Sequence, residues 1–135
     1  MEHSRKLVYT TYIPIRWGDM DAMGHVNNTI YFRYAEQARI EWMATLGFLP
    51  DQGGVGAPVI INASCSFLVP FVYPGTVELR MYLGHPGRSS VPSYFDMRLQ
   101  GEDKIYAEGA AKIVWMNPAT GKSVPLPDAM RRLAE

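Results

Sequence analysis

The stretch from residue 17 to residue 46 reads W-G-D-M-D-A-M-G-H-V-N-N-T-I-Y-F-R-Y-A-E-Q-A-R-I-E-W-M-A-T-L, a polar loop followed by a long helix. From residue 28 to residue 46, apolar side chains recur at steps of three and four, which is the period of an amphipathic helix. Asn27 or Asn28 can cap its start, and Gly47 suits the left-handed residue that ends it. The preceding residues 17–27 are rich in Gly, Asp and Asn, which favour turns. The stretch therefore predicts a structured loop and a helix of about five turns.

Strand-like segments lie on both sides of this loop and helix. Five segments are either rich in Val, Ile, Tyr and Thr or are short apolar runs between turn-forming residues. They are residues 7–16, 57–69, 77–83, 90–99 and 105–116. The spacing of the last four is typical of an antiparallel meander. Residues 50–56 are predicted to form a glycine-rich loop, and residues 127–133 a short terminal helix. The order of elements predicts an α+β fold with one antiparallel sheet and one helix on its face.

The composition predicts one domain, residues 1–135, that functions in the cytoplasm. The chain has 13 Lys and Arg against 13 Asp and Glu, so it lacks the basic excess of a nucleic-acid-binding protein. No apolar run approaches the ~20 residues that span a bilayer, and residues 1–6 lack the apolar region of a secretory signal. The single cysteine, Cys65, is interpreted as a packed thiol in a reducing compartment. We expect no nucleic-acid or membrane partner.

The predicted sheet is larger than the surface that one helix can cover. Five strands present a broad apolar face, and the single long helix hides only part of it. We therefore expect the chain to associate with copies of itself, as a homodimer or a homotetramer.

The residues before the helix carry the chemistry. Two carboxylates, one imidazole and two side-chain amides lie close to a helix start, where backbone N–H groups lack partners and stabilise negative charge on a carbonyl oxygen. Asp21 lies seven residues before Asn28, and Gly24 permits the tight reversal that would bring them together. Asp21 would then act as a base or a nucleophile at an acyl carbon. The residues alone also fit a simpler alternative, a polar turn in which Asp19, Asp21 and Asn27 satisfy backbone donors.

The string from Asp19 to Asn28, followed by Tyr31, has the form D-x-D-x-x-G-H-V-N-N-x-x-Y. It resembles the active-site segment of the hotdog-fold acyl-CoA thioesterases of the 4-hydroxybenzoyl-CoA thioesterase type, and it lies between first strand and long helix as in that family. The resemblance implies a hotdog fold, in which a five-stranded antiparallel sheet wraps around one long central helix. It also implies hydrolysis of an acyl-CoA thioester, with acyl-carrier protein as an alternative carrier and with no cofactor or metal.

The resemblance assigns roles to individual residues. Asp21 is implied to be the catalytic carboxylate, and the backbone N–H of Asn28 is implied to bind the thioester carbonyl. Gly24 and His25 would shape the loop; His25 could also act as an acid, but a ring that pins the loop to backbone groups is favoured. Residues 60–64 would line the acyl end of the pocket. The residues assigned to substrate binding are Asn27, Tyr31, Arg88, Ser89 and Ser90.

The segment Arg88-Ser89-Ser90 follows a Pro-Gly turn. Its likeness to an Arg-x-Ser of the family implies contact with the pantetheine or the phosphates of CoA, and a guanidinium suits phosphate because it donates two hydrogen bonds at once. An ordinary solvated turn is the alternative. Arg131 and Arg132 near the C-terminus are interpreted as a solvated helix face, with a phosphate contact as the alternative.

Three other functions are compatible with the residues. In a hotdog hydratase or dehydratase, His25 and Asp21 would form an acid and base pair, although the residues after His25 do not fit that pattern. A non-catalytic module that binds acyl-CoA or an acyl-carrier protein would have no need of Asp21. A metal site formed by Asp19, Asp21 and His25 would have a weak ligand set without a closing partner.

Overall fold

A computed structural model describes residues 5–48 and 56–135, and it confirms the predicted α+β hotdog architecture. Five strands form one antiparallel sheet, and the long helix packs against its inner face. Most of the predicted loop at residues 50–56 lies outside the described residues. The elements in chain order are β1 (Lys6–Pro14), α1 (Asn28–Leu46), β2 (Ala57–Phe67), β3 (Thr76–Leu83), β4 (Ser90–Leu99), β5 (Ile105–Met116) and α2 (Asp128–Ala134).

The order of strands in the sheet is β1-β3-β4-β5-β2. The prediction of a meander is therefore correct for β3, β4 and β5 but wrong for β2, which pairs with β5 and not with β3. Hydrophobic spacing identifies strands but not their partners. The connection at residues 68–75 crosses about three strand spacings, roughly 14 Å, to reach β3. That crossing brings the connection against the loop before α1.

Helix α1 buries the apolar face that its sequence predicts. Its buried residues are Tyr31, Tyr34, Ala35, Ala38, Trp42 and Met43, and they face alternating side chains of the sheet such as Leu79 and Met97. Asn27 is the N-cap residue, and its side chain accepts a hydrogen bond from the Thr29 N–H. Gly47 ends the helix with φ of 76°, a left-handed conformation that glycine adopts without strain. Both predicted helix boundaries are confirmed.

Strand β2 differs from the other strands because it lies at an edge of the sheet and has few buried side chains. Three of its apolar residues remain substantially exposed: Val59 at 40%, Ile61 at 49% and Phe67 at 44%. Cys65 lies in this strand, half-buried, and burial raises the pKa of its thiol to about 11. The described part of the chain contains no helix that is long and apolar enough to cross a membrane.

Candidate active site

The loop between β1 and α1 is closed by backbone hydrogen bonds. The Asp21 N–H donates to the His25 carbonyl (2.9 Å), and the Gly24 N–H donates to the Asp21 carbonyl (3.0 Å). Gly24 has φ of 81°, which confirms that the reversal uses the conformational freedom of glycine. The Asn27 N–H donates to the Asp19 carbonyl (2.9 Å), so the end of the loop is fixed to its beginning. The loop is an ordered turn that carries Asp21 to the start of α1.

The two carboxylates of this loop have different surroundings. Asp19 Oδ2 accepts hydrogen bonds from the Tyr34 hydroxyl (2.7 Å) and from the Arg16 N–H (2.9 Å). Burial raises the pKa of Tyr34, and its hydrogen bond to Asp19 raises it further, so the phenol remains the donor. Asp19 therefore connects the loop to the buried face of α1. Sequence reasoning assigned Tyr34 only to the core, because periodicity reports burial and not the partner of a hydroxyl group.

Asp21 is less constrained and lies beside open space. Its Oδ1 accepts a hydrogen bond from the Met23 N–H (2.9 Å), and its Oδ2 faces the side-chain amide of Asn27 at 3.4 Å. The residue is half-buried, in a depression of about 590 Å³ lined by Trp17, Gly18, Met20, Asp21, Ala22, Gly24 and Tyr73. Lone pairs of the carboxylate thus remain available on the side that faces this depression.

Asn27 connects Asp21 to the helix start. Its Oδ1 accepts from the Thr29 N–H (2.9 Å) and from the Thr29 hydroxyl (2.6 Å), while its own carbonyl accepts from the Ile30 N–H (2.9 Å). The N–H of Asn28 has no acceptor within residues 5–48 and 56–135, and Asn28 is exposed. One side-chain amide therefore holds the carboxylate and the cap together next to a free backbone donor. Sequence reasoning predicted the cap but not this link.

Tyr31, which sequence reasoning assigned to substrate binding, lies in the core. It is 2% exposed, and its ring contacts the ring of Phe67 edge-on at a centroid distance of 4.9 Å. Its hydroxyl accepts a hydrogen bond from the Phe71 N–H (3.2 Å), and the Phe71 carbonyl accepts from the Val26 N–H (2.9 Å). Burial raises the pKa of Tyr31. The residue thus fixes the 68–75 connection against the loop, and its hydroxyl does not reach an open surface.

His25 also differs from its predicted role. Its side chain is exposed and has no hydrogen bond to any described residue, whereas its backbone carbonyl closes the turn with Asp21. The predicted pinning of the loop by the imidazole ring is therefore wrong. The main chain performs that function, which a pattern of side chains does not reveal. The described residues include no group of three or more His, Cys, Asp or Glu side chains placed to bind a metal ion.

The structure does not bring Arg88, Ser89 and Ser90 close to Asp21 within one chain. The Ser89 carbonyl accepts from the Trp115 N–H (2.8 Å), and the Trp115 ring contacts Phe48 just beyond the C-terminal end of α1. Asp21 lies at the other end of this 19-residue helix, and a helix of that length extends about 28 Å. Residues 60–64 belong to β2, and Ala63 lines a separate groove beside α1 together with Thr29 and Phe95.

Comparisons with known proteins show what this chain resembles in sequence and in fold. The sequence profile of the Thioesterase-like superfamily matches residues 15–133, which include the whole loop and α1. A solved protein from Pseudomonas aeruginosa, named as a thioesterase candidate, is 40% identical, with coverage of 96% of this chain and 100% of that chain and a TM-score of 0.91. An acyl-CoA thioesterase candidate from Xanthomonas campestris is 32% identical, with coverage of 82% and 93% and a TM-score of 0.74.

One curated relative matches over a shorter region. A protein from Aquifex aeolicus, named as an esterase candidate, is 33% identical in an alignment of length 73 that covers 51% of this chain and 56% of that protein. The matched region thus spans little more than half of that relative. The superfamily profile, in contrast, extends over most of the sequence and contains the loop, the helix start and four of the five strands, β2 to β5. The chain therefore belongs to the Thioesterase-like superfamily.

Proposed function

We propose that this protein hydrolyses acyl-CoA thioesters and is of the 4-hydroxybenzoyl-CoA thioesterase type, with Asp21 as general base or nucleophile. The observation that carries the proposal is the arrangement around Asn27. This residue joins a half-buried carboxylate to a helix start whose first N–H, that of Asn28, has no acceptor in the described part of the chain. A carboxylate acceptor and a backbone donor on neighbouring positions are what acyl transfer to water requires.

In the proposed mechanism the thioester carbonyl oxygen accepts a hydrogen bond from the Asn28 N–H. The partial positive charge at the start of α1 stabilises the negative charge that develops on this oxygen. Asp21 then follows one of two routes. It removes a proton from water as the hydroxide adds to the carbonyl carbon, or it attacks that carbon itself and forms a mixed anhydride that water hydrolyses. In both routes the carbon–sulfur bond breaks, and the thiolate takes a proton to leave as a free thiol.

The carrier of the acyl group is proposed to be CoA. The Xanthomonas campestris relative is named for activity on acyl-CoA, which supports this choice. An acyl-carrier protein is the alternative carrier, but the equal numbers of basic and acidic residues give no general attraction to an acidic protein. The proposed compartment is the cytoplasm, in agreement with a single cysteine that has no intramolecular partner.

The protein is proposed to act as a homodimer or homotetramer. Strand β2 leaves one edge unpaired among the described residues, and Val59, Ile61 and Phe67 along it are substantially exposed. An apolar edge strand of this kind is usually covered in a folded protein, because an uncovered one can pair with other chains and cause aggregation. A second copy would cover the edge. A solution mass equal to one chain, measured by light scattering, would contradict this proposal.

A test of the proposed reaction uses acyl-CoA substrates with aromatic, short and medium acyl groups and detects free thiol. We expect stoichiometric thiol release from at least one of them, at rates far above the uncatalysed rate. A hydratase would instead change the enoyl absorbance without releasing thiol, and a binding module would bind the thioester without either change. Either of those outcomes across the whole set would overturn the proposed function.

A further inference from the structure

The carbonyl groups of the turn at residues 87–90 accept hydrogen bonds from within the protein. The Leu126 N–H donates to the Arg88 carbonyl (2.9 Å), the Trp115 N–H to the Ser89 carbonyl (2.8 Å), and the Gly87 N–H to the Ser90 carbonyl (2.7 Å). The backbone acceptors of this turn are therefore occupied from the inside of the molecule. Two of its backbone donors, the N–H groups of Arg88 and Ser89, have no acceptor among the described residues.

Arg131 of α2 contributes the remaining contacts. Its Nη2 donates to the Gly87 carbonyl (2.7 Å) and to the Arg88 carbonyl (3.1 Å). The sequence interpretation of Arg131 as part of a solvated helix face is therefore wrong, since the side chain is half-buried against this turn. Arg132, the next residue, is exposed, and its side chain makes no hydrogen bond to any described residue.

The turn also carries donors that have no acceptor among the described residues. The N–H groups of Arg88 and Ser89 donate to no described residue, and the Arg88 side chain is exposed. Successive free amides near a guanidinium favour an anion, and a phosphate group accepts hydrogen bonds from both kinds of donor. Because the guanidinium of Arg131 occupies two carbonyls, it also keeps their negative ends directed away from such an anion.

We infer that Arg131 is a positioning residue that fixes the 87–90 turn so that its free amides and Arg88 bind a phosphate group of the CoA nucleotide. This inference rests on the proposed function, because it takes acyl-CoA as the substrate. Arg131 acts through the turn and does not itself touch the thioester. Its removal affects the binding of substrates that carry the nucleotide and leaves the chemical step in place.

The test compares the same acyl group on CoA and on pantetheine, which lacks the nucleotide. We expect Arg131→Ala to raise KM for the acyl-CoA about tenfold, as the loss of charge-assisted hydrogen bonds predicts, with kcat and the acyl-pantetheine reaction within about twofold of wild type. Arg132→Ala makes the same charge change on the same helix and should leave both substrates within about twofold. Arg131→Lys, which keeps the charge but not the planar fork, should fall between the two.

A second measurement keeps the inference testable if hydrolysis itself is not found. Calorimetry with adenosine 3′,5′-bisphosphate should detect binding to the wild type, about tenfold weaker binding to Arg131→Ala, and no change for Arg132→Ala. An equal loss with CoA and pantetheine substrates would mean that Arg131 only stabilises the fold and would overturn the inference. Absence of bisphosphate binding to the wild type would overturn it as well, whereas absence of thiol release alone would count against the proposed function.

Discussion

A polar turn lies towards each end of helix α1, the 17–27 loop at its start and the 87–90 turn, through Trp115 and Phe48, beyond its end, and the two turns leave different groups free. At the N-terminal end, the Asp21 carboxylate is held by Asn27 next to the unpaired N–H of Asn28. Beyond the C-terminal end, the 87–90 turn has its carbonyls occupied, and the N–H groups of Arg88 and Ser89 have no acceptor among the described residues. An acceptor beside a donor suits chemistry at a carbonyl, while donors alone suit an anion. The hydrogen bonds thus distinguish a reaction end, formed by Asp21, Asn27 and Asn28, from a binding end, formed by the 87–90 turn.

The distance between these ends has a consequence for assembly. They are separated by the 19 residues of α1, about 28 Å. If one acyl-CoA molecule uses a reaction end and a binding end that are closer than this, the two ends come from different copies of the chain. The exposed apolar edge of β2 provides a surface for such an association.

The largest loss of kcat is expected when Asp21, and not the neighbouring carboxylate Asp19, is replaced. Asp21→Asn removes the charge with little change of shape, and we expect kcat to fall by about 10² to 10⁴, as for loss of a positioned base. Asp19→Asn is the matched control, because Asp19 holds Tyr34 and Arg16 and not the reacting carbonyl. We expect it to keep at least about a tenth of the wild-type rate. Near-wild-type thiol release by Asp21→Asn would contradict the assignment.

Asn27→Ala breaks the link between Asp21 and the start of α1 without removing either catalytic group. The change removes the N-cap bond to Thr29 and the contact with Asp21 together. We expect about a tenfold loss in kcat, because misplaced groups stabilise the transition state less well, and a loss of about 1 kcal/mol in the free energy of unfolding. Chemical denaturation and thiol release on the same preparation measure both. A loss of stability with an unchanged rate would mean that Asn27 is only a cap.

The smallest expected effect concerns Cys65, which belongs to neither end. Burial raises the pKa of its thiol to about 11, so the group is protonated at neutral pH and is a poor nucleophile. Cys65→Ser should therefore retain the wild-type kcat within about twofold, and the native thiol should react slowly with a disulfide reagent at pH 8. A large loss of activity, or rapid labelling that abolishes hydrolysis, would place the thiol in the mechanism.

Much of the reaction end is predictable from sequence, because its parts are local. The periodicity of α1, the cap at Asn27, the stop at Gly47 and the reversal at Gly24 each depend on a few neighbouring residues. The binding end and the sheet order are not predictable in this way. The pairing of β2 with β5 and the contact of Arg131 with the 87–90 turn join residues that are far apart in the chain.

Tyr31 and His25 follow the same rule. Tyr31 matches a motif, but its burial depends on the 68–75 connection, which crosses the sheet only in the folded chain. The sequence displays the ring of His25 and not its backbone carbonyl, although the carbonyl makes the contact that closes the turn.

In the proposed mechanism the reaction end uses one backbone hydrogen, that of Asn28. Asn28 is the first helical residue, where proline is tolerated, and Asn27 has φ of −60° and ψ of 139°, a conformation that is compatible with a following proline. Asn28→Pro therefore removes the N–H and keeps the helix, while Asn28→Ala removes only the side chain. We predict that kcat for thiol release falls about 10² to 10³ in the proline variant and stays above about a third of wild type in the alanine variant. Equal rates for the two variants, with equal thermal stability, would contradict the claim.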